Sequence, residues 1–354
     1  MAGLFDSYKL RDVTFKNRIG VSPMCMYSAN DGLPTEWHHA HYGSLALGGA
    51  GLIITEATAI EPRGRITPLD CGMWSEDQAE AWKSIVEFMK SQGVVPGIQL
   101  AHAGRKASCK PPGEGGKAMS TDEGGWETIA PSPIPFFDTD PVPRSINDED
   151  LDQLLGAWVS AAKRVAAAGF EVLELHMAHG YLCHQFLSPL SNKREDCFGG
   201  SFENRTRFLI SMAREVREVF PENKPLFVRI SCTDWVDGGW DIDQSIQFVK
   251  ELSEVGVDLV DCSSAGSVPY ANVKVKPGYQ VPFAEKIRHD TGIPTAAVGL
   301  ITEPSQAEEI LHNNQADIVL FAREMLRNPR WAIQAAKELK VDIALPAQYL
   351  RAFT

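Results

Sequence analysis

Eight short apolar runs, separated by segments of helical pattern, constrain this chain more than any other feature. They are Ile19–Ser22, Gly51–Glu56, Val95–Leu100, Val172–His176, Leu226–Ser231, Leu259–Ser263, Thr295–Gly299 and Asp317–Ala322. Each is β-branched-rich or apolar on both faces, as parallel strands covered by helices must be. The clearest helical segment is 148–168. There Leu151, Leu154, Leu155, Trp158, Ala162 and Val165 make one apolar stripe. Asn147 or Ser145 can cap its start and Gly169 can end it. Pro304 stands where a first helical turn tolerates proline.

Eight strand–helix repeats predict an α/β fold, a (β/α)8 TIM barrel rather than an open doubly wound sheet. An open sheet would show a G-x-G-x-x-G loop after its first strand. Here that strand runs into Pro23-Met24-Cys25-Met26-Tyr27. The 354 residues would suit two domains by length alone, but no second core is visible, so 1–354 reads as one barrel domain. Tyr8 to Phe15 reads as a short N-terminal hairpin plugging one barrel end. The segment 107–146, rich in Gly and Pro, is a long loop after the third strand. It leaves on the face where barrels bind ligands.

Charge excludes some partners. Lys plus Arg is 34 against 46 for Asp plus Glu, a net charge of −12 with no basic tract. Nucleic acid and anionic membranes are poor partners for such a surface, and a small molecule is the better one. The seven cysteines, at 25, 71, 109, 183, 197, 232 and 262, are scattered and include no C-x-x-C. That points to reduced thiols in a reducing compartment, the cytoplasm. The first residues lack the basic and apolar regions of a signal peptide, and no apolar run approaches the roughly 18 residues of a membrane span.

The chemistry concentrates in His176-Met177-Ala178-His179-Gly180-Tyr181, at the C-terminal end of the fourth predicted strand. Two imidazoles can hold a polarised oxygen, and a phenol can deliver a proton. Taken alone, His-x-x-His also fits two satisfied loop histidines, or a zinc site with a third ligand from another strand end. The second case would make the protein a metal-dependent barrel hydrolase. Other strand ends add Cys25 and Tyr27, Gln99, His102, Arg105 and Lys106, Arg229, Ser263 and Ser264, Gly299 and Arg323. Drawing groups from many strand ends is how this fold builds active sites.

These residues carry a resemblance. Lys16-Asn17-Arg18-Ile19, Ser22 to Tyr27, Gly97 to Lys106, His176 to Tyr181, Ser188 to Arg194, Tyr279-Gln280-Val281 and Gly299-Leu300-Ile301-Thr302 extend over nearly the whole chain. Together they resemble the Old Yellow Enzyme family of FMN-dependent ene-reductases, in its thermophilic-like subgroup. The resemblance implies NADPH or NADH as hydride donor to FMN. Hydride then passes from flavin N5 to the C=C bond of an enal, enone or maleimide, with nitro compounds at the edge of the class.

Roles follow from the same resemblance. His176 and His179 hold the substrate oxygen, and Tyr181, with an ordinary pKa near ~10, protonates carbon. Ser22, Pro23, Met24 and Ala57 touch the flavin ring, and Gln99 reads its pyrimidine edge. Arg229 stands beside N1 and O2. Cys25 stands near O4 and N5, where a weak thiol donor tunes the potential. Gly299, Ala322 and Arg323 hold the phosphate. The family has glycine where this chain has Ala322, a position that would be strained were its φ positive. Tyr27 and Lys106 line the substrate pocket. Arg351, near the C-terminus, reaches the site of a neighbouring subunit, which implies a homodimer or homotetramer. No metal ligand is expected.

Overall fold

The structure is a computed structural model describing residues 2–353. Twelve strands and eleven helices follow one another along those residues. A hairpin of β1 (Tyr8–Leu10) and β2 (Val13–Phe15) leads into β3 (Ile19–Val21), α1 (Glu36–Ala46), β4 (Leu52–Ala59) and α2 (Glu76–Ser91). Next come β5 (Val95–Ala101), the short pair β6 (Ile129–Ala130) and β7 (Arg144–Ser145), and α3 (Asp148–Ala167). The middle of the chain forms β8 (Val172–Met177), α4 (Leu182–Leu187), α5 (Phe202–Val219), β9 (Leu226–Ser231) and α6 (Ile242–Glu254). The remainder forms β10 (Leu259–Ser263), α7 (Val281–Thr291), β11 (Thr295–Ala297), α8 (Pro304–His312), β12 (Ile318–Phe321), α9 (Arg323–Arg327), α10 (Trp331–Leu339) and α11 (Leu350–Phe353).

Eight of these strands close a barrel in the order β10-β11-β12-β3-β4-β5-β8-β9, and every pairing between them is parallel. Each of the eight expected runs is one of them. Two match end to end, Leu226–Ser231 and Leu259–Ser263, and the others differ by a few terminal residues. The anticipated helix spans Asp148–Ala167. Asn147, not Ser145, caps it by accepting from Asp150 N at 2.9 Å, and Gly169 follows at φ +89°. Pro304 opens α8 behind the cap residue Glu303.

Period-two alternation divides the barrel into an outer and an inner core. Ile53, Ile98, Leu173, Val228, Val260 and Val319 face the helices, in one apolar cluster with Trp82 and Trp158. Their neighbours Leu52, Ile54, Val95, Val172, Phe227, Leu259, Ile318 and Leu320 point inward. Val13 and Phe15 of the hairpin join that inner cluster, and Phe15 is fully buried. The hairpin therefore plugs the barrel's N-terminal end, as its sequence suggests.

The same alternation builds the site. Continuing inward from the apolar floor, β8 presents Glu174 and then His176, β9 presents Arg229 and Ser231, and β10 presents Asp261 and Ser263. β5 presents Gln99. On β4 the register shifts between Thr55 and Ala57, so Ala57 pairs with Gln99 across the strands. Glu56 is left to accept from Met26 N at 3.0 Å and Tyr42 OH at 3.1 Å. An apolar floor thus carries a polar layer, which opens at the C-terminal mouth.

Candidate active site

At that mouth, the loop after β8 packs backbone to backbone on the loop after β10. Gly180 has φ +72°, and a Cβ there would lie 1.9 Å from Gly266 O. Only glycine permits this approach. It sets His179, itself left-handed at φ +58°, over the barrel axis. Such a backbone costs about 1–2 kcal/mol for a side chain like histidine. Three bonds hold it. His179 N donates to Ser231 Oγ at 2.9 Å, and Lys106 Nζ donates to His179 O at 2.8 Å and Gly266 O at 3.2 Å.

The hydrogen-bond network assigns the histidine tautomers. Ala178 N donates to His176 Nδ1 at 3.2 Å, so the ring proton of His176 sits on Nε2. That nitrogen lies 3.4 Å from His179 Nδ1, while His179 Nε2 lies 2.6 Å from Ser263 Oγ. Both rings then carry their proton on Nε2. Burial, followed by the charge of Arg229, holds both imidazoles well below their ordinary pKa, so both are neutral donors.

Tyr181 stands edge-on to His176, with ring centroids 5.1 Å apart. Burial, then the neighbouring Cys25, pushes its phenol well above the usual range, and the proton stays in place. Lys106 Nζ lies 5.1 Å from the centre of that ring and 4.4 Å from Phe136. Burial first, then Arg105, pulls Lys106 down to about 8. Tyr27, Lys106 and Tyr181 together line a cavity of about 630 Å³, roofed by Phe136 and Phe137 of the long loop. Tyr181 also borders a water-sized pocket shared with Ala57 and Asp70.

A second cavity, of about 400 Å³, has His179 in its wall. It is lined by Arg229, Ser263, Gln280, Gly299, Ala322 and Arg323, among others. Ser22 N donates to Phe321 O at 2.9 Å, and Ser22 Oγ is buried without a partner. Pro23, Met24 and Cys25 follow in the half-buried turn after β3. Seven strand ends thus contribute to two cavities, with His179 in the wall of the second and Tyr181 in that of the first.

The sequence profile of the NADH:flavin oxidoreductase / NADH oxidase family matches residues 3–342. The chain belongs to that family. The NADPH dehydrogenases of Geobacillus thermodenitrificans and Bacillus velezensis are similar to it, at 49% identity over 98% of both chains and 50% over 99% of both. Among solved structures, morphinone reductase in complex with tetrahydroNAD aligns at TM-score 0.78 and 26% identity, covering 98% of this chain and 93% of the other. An Old Yellow Enzyme homologue from Zymomonas mobilis aligns at TM-score 0.78 and 26% identity, covering 97% and 94%.

As a member of the Old Yellow Enzyme family, the protein is an FMN oxidoreductase that takes hydride from a nicotinamide. The cavity beside Arg229 fits that cofactor. At Gly299, φ is +124°, and a Cβ would come within 3.0 Å of Gln280 Nε2. Arg323 lines the same cavity and carries the cation that a phosphate requires. Ala322 has φ −103°, so the positive φ that would strain an alanine does not occur. Arg229 Nε lies 2.8 Å from Asp261 Oδ2, which answers how a cation survives in an apolar strand.

The hydrolase alternative finds no support. Among the described residues, the three-ligand grouping is His38, Glu56 and Cys71, and neither His176 nor His179 belongs to it. Even there, Thr35 N donates to His38 Nδ1 at 2.9 Å, placing the ring proton on the nitrogen that faces Glu56 and Cys71. Arg351 is exposed on α11, outside both cavities of its own chain. No helix among the described residues is long and apolar enough to cross a membrane.

Sequence reading gave no role to Glu174, Asp261, Ser263 or Gln280. A signal existed for the first three. Each shares the inward phase of its strand with an assigned residue or a strand-end serine: Glu174 with His176, and Asp261 with Ser263. Glu324 and Arg327, which also line the cofactor cavity, left no such signal, because they come from one short helical turn.

Proposed function

We propose that this protein is an ene-reductase, reducing the C=C bond of enals, enones and maleimides, and extending to nitro compounds. One observation carries the reading: two neutral imidazole donors and a protonated phenol meet at one lip of the barrel, beside the cofactor cavity. FMN, when bound, supplies the redox centre that accepts hydride from NADPH or NADH and delivers it to the alkene carbon β to the activating group.

The chain's own residues do the rest. The cavity under Phe136 and Phe137 takes the apolar body of the alkene. His176 and His179 turn their Nε2 protons to the carbonyl or nitro oxygen, which gains negative charge as the bond is reduced. His179 gives up Ser263 to do so. Neutral donors suit this task, since they stabilise the developing charge without a prior ion pair in the ground state. Tyr181 donates its proton to the α carbon, and the nearby Lys106 cation eases the transient phenolate.

The pyrimidine-edge role of Gln99, the ring contacts of Ser22, Pro23, Met24, Cys25 and Ala57, and the phosphate roles of Gly299, Ala322 and Arg323 belong to the same reading. So do a cytoplasmic setting and a homo-oligomer completed by Arg351. The test is Tyr181→Phe, followed by stopped flow on each half-reaction. Reduction by NADPH should keep its rate, while reoxidation by 2-cyclohexenone should slow by about 10²–10⁴. Equal rates in both half-reactions would remove Tyr181 as the donor.

A further inference from the structure

The polar layer beneath the mouth holds a carboxylate that the reaction does not use. Gln99 on β5 and Glu174 on β8 are register partners across neighbouring strands. Gln99 Nε2 donates to Glu174 Oε1 at 2.8 Å, and both side chains are buried. Glu174 Oε2 is buried with no partner at all. A bare acid is expensive at such a place, and an unpaired buried oxygen adds to the cost. A residue that only filled the barrel would not need one.

The bond fixes more than distance. A glutamine amide has two faces, a donor NH2 and an acceptor carbonyl, of nearly the same shape. Left free, Gln99 could present either one upward. Glu174 cannot serve the carbonyl face while it accepts through Oε1. It holds the NH2 end toward β8 and leaves Gln99 Oε1 as the free end of the amide. Among the described residues that carbonyl oxygen has no hydrogen-bond partner in the chain.

We propose that Glu174 is a positioning residue that sets the polarity of Gln99, so that the glutamine acts as an acceptor for the N3–H of the flavin pyrimidine. The inference rests on the reading of Gln99 as the pyrimidine-edge residue. Flavin offers one donor on that edge, N3–H, between two acceptor carbonyls. A glutamine turned the other way would set its NH2 against N3–H, donor against donor. Burial and the charge of Asp261 both push the Glu174 carboxyl up, with Arg229 pulling against them. Ionised, Glu174 can only accept and so enforces this polarity; protonated, it carries a donor for the turned amide, so the Arg229 charge that favours the carboxylate belongs to the same device.

The experiment is a binding titration of the apoprotein, read by quenching of flavin fluorescence and requiring no alkene. FMN and 3-methyl-FMN, whose N3 carries no proton, are compared on four proteins: wild type, Glu174→Ala, Glu174→Gln and Gln99→Ala. Wild type should prefer FMN over the methyl analogue by more than about tenfold, the worth of one hydrogen bond plus the methyl's bulk. Glu174→Ala should weaken FMN by about tenfold and the analogue much less, so that the preference shrinks. Glu174→Gln keeps an acceptor for Gln99 Nε2 but adds a donor that can serve the turned amide, so it should restore the affinity and the preference only in part.

An unchanged preference in Glu174→Ala, with Gln99→Ala weakened, would overturn the proposal while leaving Gln99 at the pyrimidine. An unchanged FMN affinity in Gln99→Ala would instead remove the reading beneath it. Should Glu174→Ala fail to fold, wild type loaded with 15N3-labelled FMN decides the matter. A downfield, exchange-protected N3–H proton, lost in Gln99→Ala, supports the acceptor polarity. An N3–H that shifts and exchanges as in free FMN contradicts it.

Discussion

His179 Nε2 lies 2.6 Å from Ser263 Oγ, so the mouth histidine spends its ring proton on the end of β10, two strands away. The contacts of His176 set His179 to carry its proton on Nε2, and a neutral ring in that form is the one that can later be turned to a substrate oxygen. Removing either donor, in His176→Ala or His179→Ala, should slow reoxidation by enone by about 10²–10³. The rate should show no step near pH 6.5, because both rings titrate well below it. Stopped flow from pH 6 to 8 checks both statements.

The same depressed pKa values bear on stability. In the unfolded chain these histidines bind protons below their ordinary pKa of about 6.5, while in the folded chain they do not. The unfolded state therefore gains protons as pH falls, and stability declines on acidification through that range. Melting curves from pH 7.5 to 5.5 should fall less steeply for His179→Asn than for wild type. Identical slopes would mean that His179 is not held neutral by the fold.

Cys25 should remain a thiol in the working enzyme, because burial, then Asp70 and Glu56, push it well above its usual range. Such a group donates weakly and does not attack. Cys25→Ala should move the flavin midpoint potential by up to about 30 mV, equivalent to ~1.4 kcal/mol for a two-electron couple, with modest loss of turnover. Redox titration with a reference dye measures it, and an unchanged potential would sink the tuning role.

Phe15 seals the floor of the barrel far from the chemistry. Phe15→Ala should cost about 3–5 kcal/mol of stability, through lost burial and a cavity. The folded fraction should still bind FMN with wild-type affinity. Denaturant unfolding and flavin titration together check this, and a parallel loss of FMN affinity would show that floor and mouth are coupled.

How much of this was legible in the sequence depends on period. The apolar runs Leu226–Ser231 and Leu259–Ser263 are legible from end to end, because Pro225 and Asp258 precede them and a serine closes each. Alternation fails at β4, which runs to Ala59, because a bulge at Glu56 breaks the period that the eye follows. The histidines and Tyr181 are visible because three chemically distinctive residues fall within six positions. Glu174 and Asp261 give only a phase, the inward one shared with His176 and Ser263; what each faces appears only when Gln99 and Arg229 arrive from neighbouring strands. Ala322 shows the reverse case: the positive φ that would have disfavoured alanine does not occur, and only the backbone angle reveals it.

Arg351 is exposed on the C-terminal helix and touches neither cavity of its own chain. If a neighbouring copy receives it, Arg351→Ala should raise the KM for enone several-fold without changing the rate of reduction by NADPH. Light scattering should show a dimer or larger. A monomer with full activity at low concentration would refute the shared site.

The most direct measurement is the visible spectrum of the purified protein under anaerobic conditions, first with NADPH and then with 2-cyclohexenone. The account predicts a yellow flavin spectrum that bleaches with NADPH and returns as the enone is consumed. A flavin that bleaches and stays bleached with every activated alkene offered would contradict the ene-reductase reading while leaving the FMN oxidoreductase intact.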